Sequence, residues 1–149
     1  MTSIVELEIN KPKTEVERLF TDPANNPKWM HDLKGYEPIS GEQGLPGSVY
    51  RLIPKQGSRI FTATVITRNA TELKLKLDAA GVQVLITAQL IEQSLSKTKL
   101  ISKEVFTFKG LFSLFGWLAT PAIKTAHKKH MTDFKDFAEN HCNAAGHDL

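Results

Sequence analysis

The chain has 149 residues, 23% charged and 41% hydrophobic, the balance of an ordinary globular protein long enough to bury a sizeable core. Its net charge of +3, without an Arg-rich run, argues against nucleic acid as a partner. The single cysteine, Cys142, excludes an internal disulfide and any zinc site made of several thiolates. One domain over residues 1–149 is expected. The opening MTSIVELEIN has no basic n-region or apolar h-region, and the longest uncharged run, Gly110 to Ile123, is too short to span a bilayer. A cytoplasmic protein is therefore expected.

In chain order, Ile4 to Asn10 alternates Val5, Leu7 and Ile9 against Glu6 and Glu8, the pattern of a half-buried strand. Lys11-Pro12-Lys13 breaks it. Val16, Leu19 and Phe20 then stand at helical spacing within Thr14 to Phe20. Asp22-Pro23 reads as the cap and first residue of a second short helix ending near Asn26-Pro27, with Trp29 and Leu33 following as apolar anchors. Strands are predicted over Tyr36–Ser40, Ser48–Pro54, Arg59–Arg68, Glu72–Asp78, Val82–Gln93 and Lys97–Phe108, separated by short polar or Gly-containing turns. Connections this short make successive strands antiparallel neighbours.

The last long stretch, Thr120 to Cys142, reads as one helix, with Thr120 as N-cap and Pro121 as first residue. Its apolar face carries Ile123, Ala126, His127, His130, Met131, Phe134, Phe137, Ala138 and His141; lysines dominate the other. About 22 residues at 1.5 Å rise make a rod of roughly 33 Å, long enough to cross a small domain. The fold class is therefore α+β, a curved antiparallel sheet of six to seven strands with two short helices after the first strand and one long C-terminal helix. A curled sheet cannot pack every inward side chain against one rod, so a space of roughly 300–1,000 Å³ is expected between them.

Four stretches resemble the START-like, helix-grip (SRPBCC) superfamily, in particular its polyketide cyclase/dehydrase and lipid-transport branch. These are the first strand with Lys11–Phe20; Asp22-Pro23 with Trp29; Ser40-Gly41, Gly44 and Pro46-Gly47-Ser48-Val49-Tyr50; and Lys109-Gly110-Leu111-Phe112 leading into the terminal helix with Phe134-Lys135. The resemblance covers nearly the whole chain. It implies a sheet gripping the terminal helix around an apolar cavity, in a superfamily whose uses range from lipid carriage to polyketide cyclisation. Nothing matches the paired cysteine and histidine of its iron–sulfur hydroxylases.

Among residues able to do chemistry, His127 and His130 stand at i, i+3 on one helix face. They read either as hydrogen-bonded packing residues or as cavity-lining groups that orient a polar ligand end; no carboxylate at fitting spacing completes a metal site. Glu104 shares its strand face with Leu100, Ser102 and Phe106 and points inward if the lysines face water, with Arg51, Arg59 or a helix histidine as partner; a β-bulge would turn it to solvent instead. No G-x-S-x-G elbow and no phosphate loop is present. His141, Cys142 and His147 straddle a helix end and a Gly-containing tail, where fraying is expected rather than a metal site. Gly110 to Ala119 reads as a packed corner closing the cavity; the competing reading is a membrane-touching lip, with transient surface contact through Leu111–Trp117 beside Lys124, Lys128 and Lys129.

Together these readings predict binding or transfer of a hydrophobic small molecule, lipid-like or polyketide-like, by a monomer or homodimer. Ligand contacts are expected from Trp29, Tyr50, Arg59, Phe61, Glu104, Phe106, Trp117, His127, His130 and Phe134, with no metal, cofactor or nucleic acid and no catalytic residue assigned. The alternatives are a cyclase/dehydratase-type enzyme using Glu104 with His127 or His130 as acid and base, and an interaction module with a filled core.

Overall fold

The computed structural model describes residues 1–56 and 59–141. Among them, seven strands form one antiparallel sheet: β1 (Thr2–Ile9), β2 (Leu33–Ser40), β3 (Val49–Pro54), β4 (Phe61–Arg68), β5 (Glu72–Ala79), β6 (Val82–Ser94) and β7 (Lys97–Phe108). The spatial order is β1-β7-β6-β5-β4-β3-β2, a meander whose last strand returns to pair with the first. Between β1 and β2 lie α1 (Lys13–Thr21), a 3₁₀ turn (Pro23–Asn25) and the single-turn α2 (Asn26–Trp29). After β7 come the short α3 (Phe112–Phe115), a 3₁₀ turn (Gly116–Ala119) and the long α4 (Thr120–Asn140). This is the expected helix-grip α+β arrangement.

The strand alternation holds from its first residue. On β1, Ser3 and Ile9 are buried and Val5 and Leu7 half-buried, while Ile4, Glu6 and Glu8 face water. Glu6 and Glu8 pair with Lys99 and Lys97 on β7, so the outer face is tied by surface ion pairs of small individual value. The strand begins two residues earlier than expected, which brings Ser3 into the interior. Asp22 caps the 3₁₀ turn through Oδ1 to the Ala24 amide at 3.0 Å, with Pro23 as its first residue.

α4 buries His127, Met131, Phe134 and Ala138, a stripe at i, i+4, i+7 and i+11. Phe134 stacks edge-on to Phe20 and Trp29, at centroid distances of 4.8 and 5.2 Å, and anchors the helix to α1 and α2. Both ends of α4 differ from expectation, as do the starts of β2, at Leu33 rather than Tyr36, and β4, at Phe61 rather than Arg59. Thr120 is not the N-cap: Ala119 is already helical at φ −82°, ψ −4°, so Thr120 enters as a helical residue with no side-chain cap, and Pro121 is second rather than first. The helix ends at Asn140, with His141 extended, rather than running to Cys142. Cys142 and His147 lie outside the described residues.

Candidate cavity between sheet and helix

Two adjoining hollows open between the concave sheet face and the helices, about 70 Å³ for the inner and about 280 Å³ for the outer. Neither alone reaches the expected 300 Å³; together they just do. Both are walled by Met30, Leu52, Leu77, Ile86, Glu104 and His130, which form the waist between them. Phe20, Trp29 and Tyr50 close the inner end. Arg59, Phe61, Phe106, Ile123 and His127 surround the outer one. The walls are mainly apolar, so an apolar body gains by leaving water and few groups remain to orient it.

Glu104 and His130 are the exceptions at the waist. The pairing of β7 with β1 is unbroken along its length, and with β6 it is unbroken from Val82↔Phe108 to Glu92↔Thr98. No bulge resets the alternation near Glu104, and it follows Leu100 and Ser102 inward. Its side chain is 14% exposed. Burial pushes the carboxyl up from 4.5 to about 7. The expected arginine partners are elsewhere: Arg51 pairs with Glu37 at 3.6 Å, and Arg59 lies over the Phe112 ring at 4.4 Å. The nearest basic group is His127 Nδ1 at 3.8 Å, beyond hydrogen-bond reach.

His127 is held otherwise. Its Nδ1 lies 2.8 Å from Ser3 Oγ and its Nε2 2.8 Å from Ser102 Oγ. One hydroxyl donates to the bare ring nitrogen and the other accepts from the N–H, so a neutral imidazole is fully satisfied in this cradle. Burial first, then the neighbouring His130, lowers its pKa from 6.5 to about 4. Between about pH 4 and pH 7, therefore, His127 and Glu104 are both uncharged, and their proximity is not an ion pair. With both nitrogens occupied, His127 acts as a strut joining α4 to β1 and β7. His130 is half-buried at the waist, with Nε2 3.6 Å from Asp32 Oδ1.

Two polar groups mark the inner end. Burial raises the Tyr50 phenol from 10.0 to about 12, partly offset by a hydrogen bond with the Asn26 side chain. Trp29 Nε1 is buried without a hydrogen-bond partner among the described residues.

Eight of the ten predicted contact residues thus line the cavity: Trp29, Tyr50, Arg59, Phe61, Glu104, Phe106, His127 and His130. Two do not. Phe134 is fully buried behind Phe20 and Trp29, supporting the wall rather than forming it. Trp117 is 68% exposed on the outside. The packed-corner reading of its segment fails with it: Leu111, Phe112, Leu114, Phe115, Trp117 and Leu118 are all exposed, and only Gly116 is buried, against Phe108. Sequence reasoning missed the waist residues Met30, Leu52, Leu77 and Ile86, which carry no signal beyond apolarity. It also missed Ser3, whose strand was started too late. Among the described residues, no three or more His, Cys, Asp or Glu side chains gather as a metal would require, and no helix is long and apolar enough to cross a membrane.

The sequence matches no family model and no curated protein. Solved structures do match. An aromatase/cyclase from a Streptomyces species superposes with a TM-score of 0.82 at 15% identity, over 98% of each chain. Norcoclaurine synthase from Thalictrum flavum, solved with dopamine and hydroxybenzaldehyde, gives 0.70 at 16% identity, covering 96% of this chain and 90% of its own. A START superfamily protein from Mycobacterium smegmatis gives 0.71 at 14% identity, covering 93% and 94%. The fold of this chain is the START-like helix-grip fold.

Proposed function

We propose that the protein binds an apolar small molecule, lipid-like or polyketide-like, between the sheet and α4, for storage or transfer. The carrying observation is the chemistry of the waist: one mostly buried carboxyl, 14% exposed and without a hydrogen-bond partner among the described residues, set in otherwise largely apolar walls. Such a group is costly to bury, and a ligand hydroxyl or carbonyl offsets that cost by supplying the missing partner. His130 offers a second polar contact from the facing helix. The test compares 2-naphthol with naphthalene, one ring system with and without a polar end. Wild type should bind both, 2-naphthol more tightly, and Glu104→Leu should weaken 2-naphthol by about tenfold while sparing naphthalene. Equal weakening of both, or saturable binding of neither, would defeat the proposal.

A second reading has its own support. A carboxyl held near pH 7 has the pKa that suits a general acid or base, and His130 lines the same waist. A cyclase-type reaction needs a proton removed from carbon between two carbonyls. If Glu104 does this, the protein should speed deuterium exchange at the central methylene of a β-diketone, and Glu104→Gln should abolish the enhancement. Exchange no faster than in buffer leaves carriage as the function.

A further inference from the structure

The segment between β7 and α4 carries six large hydrophobic side chains in eight positions, Leu111 to Leu118, all turned to water, with Leu111 78% and Phe115 62% exposed. Isolated surface hydrophobes are ordinary, but a run of this density on one short helical segment marks a docking surface. Its charge surroundings say what docks. From Val105 to Thr132 the chain has four lysines and neither Asp nor Glu. Lys109 stands two residues before the segment. Lys124 and Lys128 lie about 6 and 12 Å beyond Thr120 along α4. None of these three forms an ion pair among the described residues, whereas Lys129 is bound to Asp133.

The segment is also seated firmly, so the exposure is not that of a loose tail. Gly81 has φ +80°, and a Cβ there would come within 2.3 Å of the Phe112 ring, so the turn between β5 and β6 holds that ring by lacking a side chain. The opposite end is fixed by Gly116 against the Phe108 ring. Phe112 in turn lies against the Arg59 guanidinium, and Arg59 lines the outer hollow. The lip therefore touches a residue of the cavity wall.

We infer that Leu111–Leu118 is a membrane-docking lip that inserts its aromatic and leucine side chains into the interface of an anionic bilayer while Lys109, Lys124 and Lys128 meet the headgroups. A rigid apolar ridge, with three unpaired lysines and neither Asp nor Glu in the stretch from Val105 to Thr132, is the surface that such a bilayer fits. Docked this way, the membrane surface lies beside the Arg59 side of the outer hollow. The inference does not depend on which ligand the cavity holds.

The test is co-sedimentation of the full chain with vesicles of phosphatidylcholine alone or mixed with phosphatidylglycerol, at low and high salt. Binding is expected to the mixed vesicles, weakened by salt. Trp117 emission should shift to the blue on binding, over the constant background of buried Trp29. Phe115→Ser with Trp117→Ser, at positions that support no core, should reduce binding at least about tenfold. Lys124→Gln and Lys128→Gln should each cost about fivefold without altering thermal stability. The inference is overturned if wild type ignores the mixed vesicles, or if the lysine variants bind them undiminished. It is equally overturned if the segment serves only to pair two copies: a dimer in sedimentation velocity, broken by the serine substitutions, with no vesicle binding.

Discussion

Glu104 and His127 carry opposite pH signatures that conceal one another. Glu104 has a folded pKa near 7 against 4.5 ordinarily, so the folded state holds more protons and its contribution to stability is lost as pH rises from about 4.5 to 7. His127 has a folded pKa near 4 against 6.5, so the unfolded state holds more protons and its contribution is lost as pH falls from about 6.5 to 4. From about pH 4.5 to 6.5 the two slopes cancel. Glu104→Gln should remove one and expose the other: denaturant-derived stability should climb between pH 4 and 6.5 by on the order of 3 kcal/mol, where wild type stays nearly flat. A wild type as steep as the variant would mean Glu104 does not titrate abnormally. The serine cradle gives a second prediction at this scale. Ser102→Ala leaves a ring nitrogen of His127 buried without a partner and should cost about 1–3 kcal/mol by urea denaturation. Little of this was legible in the sequence. Alternation placed Ser102 and Glu104 on one face, but period two cannot say whether a carboxylate finds an arginine, and here both candidate arginines turned to other partners.

At the scale of elements, α4 shows where local rules suffice and where they yield. Its buried stripe follows from spacing alone, because 3.6 residues per turn leave little choice of which residues face the sheet. Its start does not: Thr120-Pro121 is a sound capping pair, but a preceding segment that is already helical leaves no cap to make. Likewise GLFSLFGWLA announces apolar side chains without saying what covers them, since that depends on how Phe112 is held by Gly81 in another turn. Phe134 was legible as inward and not as second in line behind an aromatic layer. Phe134→Ala should cost about 3–5 kcal/mol and loosen α4 at its centre, whereas Trp117→Ala should leave the melting temperature nearly unchanged. Comparable losses in the two variants would mean that the lip is part of the core.

For the whole molecule, the number and length of the strands implied the hollow before any side chain was placed, since one rod cannot fill a curled seven-stranded sheet. What occupies the hollow is a matter of the walls, and at the waist these place mainly apolar residues around the Glu104 carboxyl. A cavity-filling change at the waist, Ile86→Phe, should abolish binding of both naphthalene and 2-naphthol while leaving the lip intact. The most direct measurement is a methyl-NMR titration of the wild-type chain with 2-naphthol. Saturable shifts should gather on Met30, Leu52, Leu77 and Ile86, the residues shared by the two hollows. Shifts confined to Leu111, Leu114 and Leu118, or no saturable shift at the waist, would contradict a ligand held between sheet and helix.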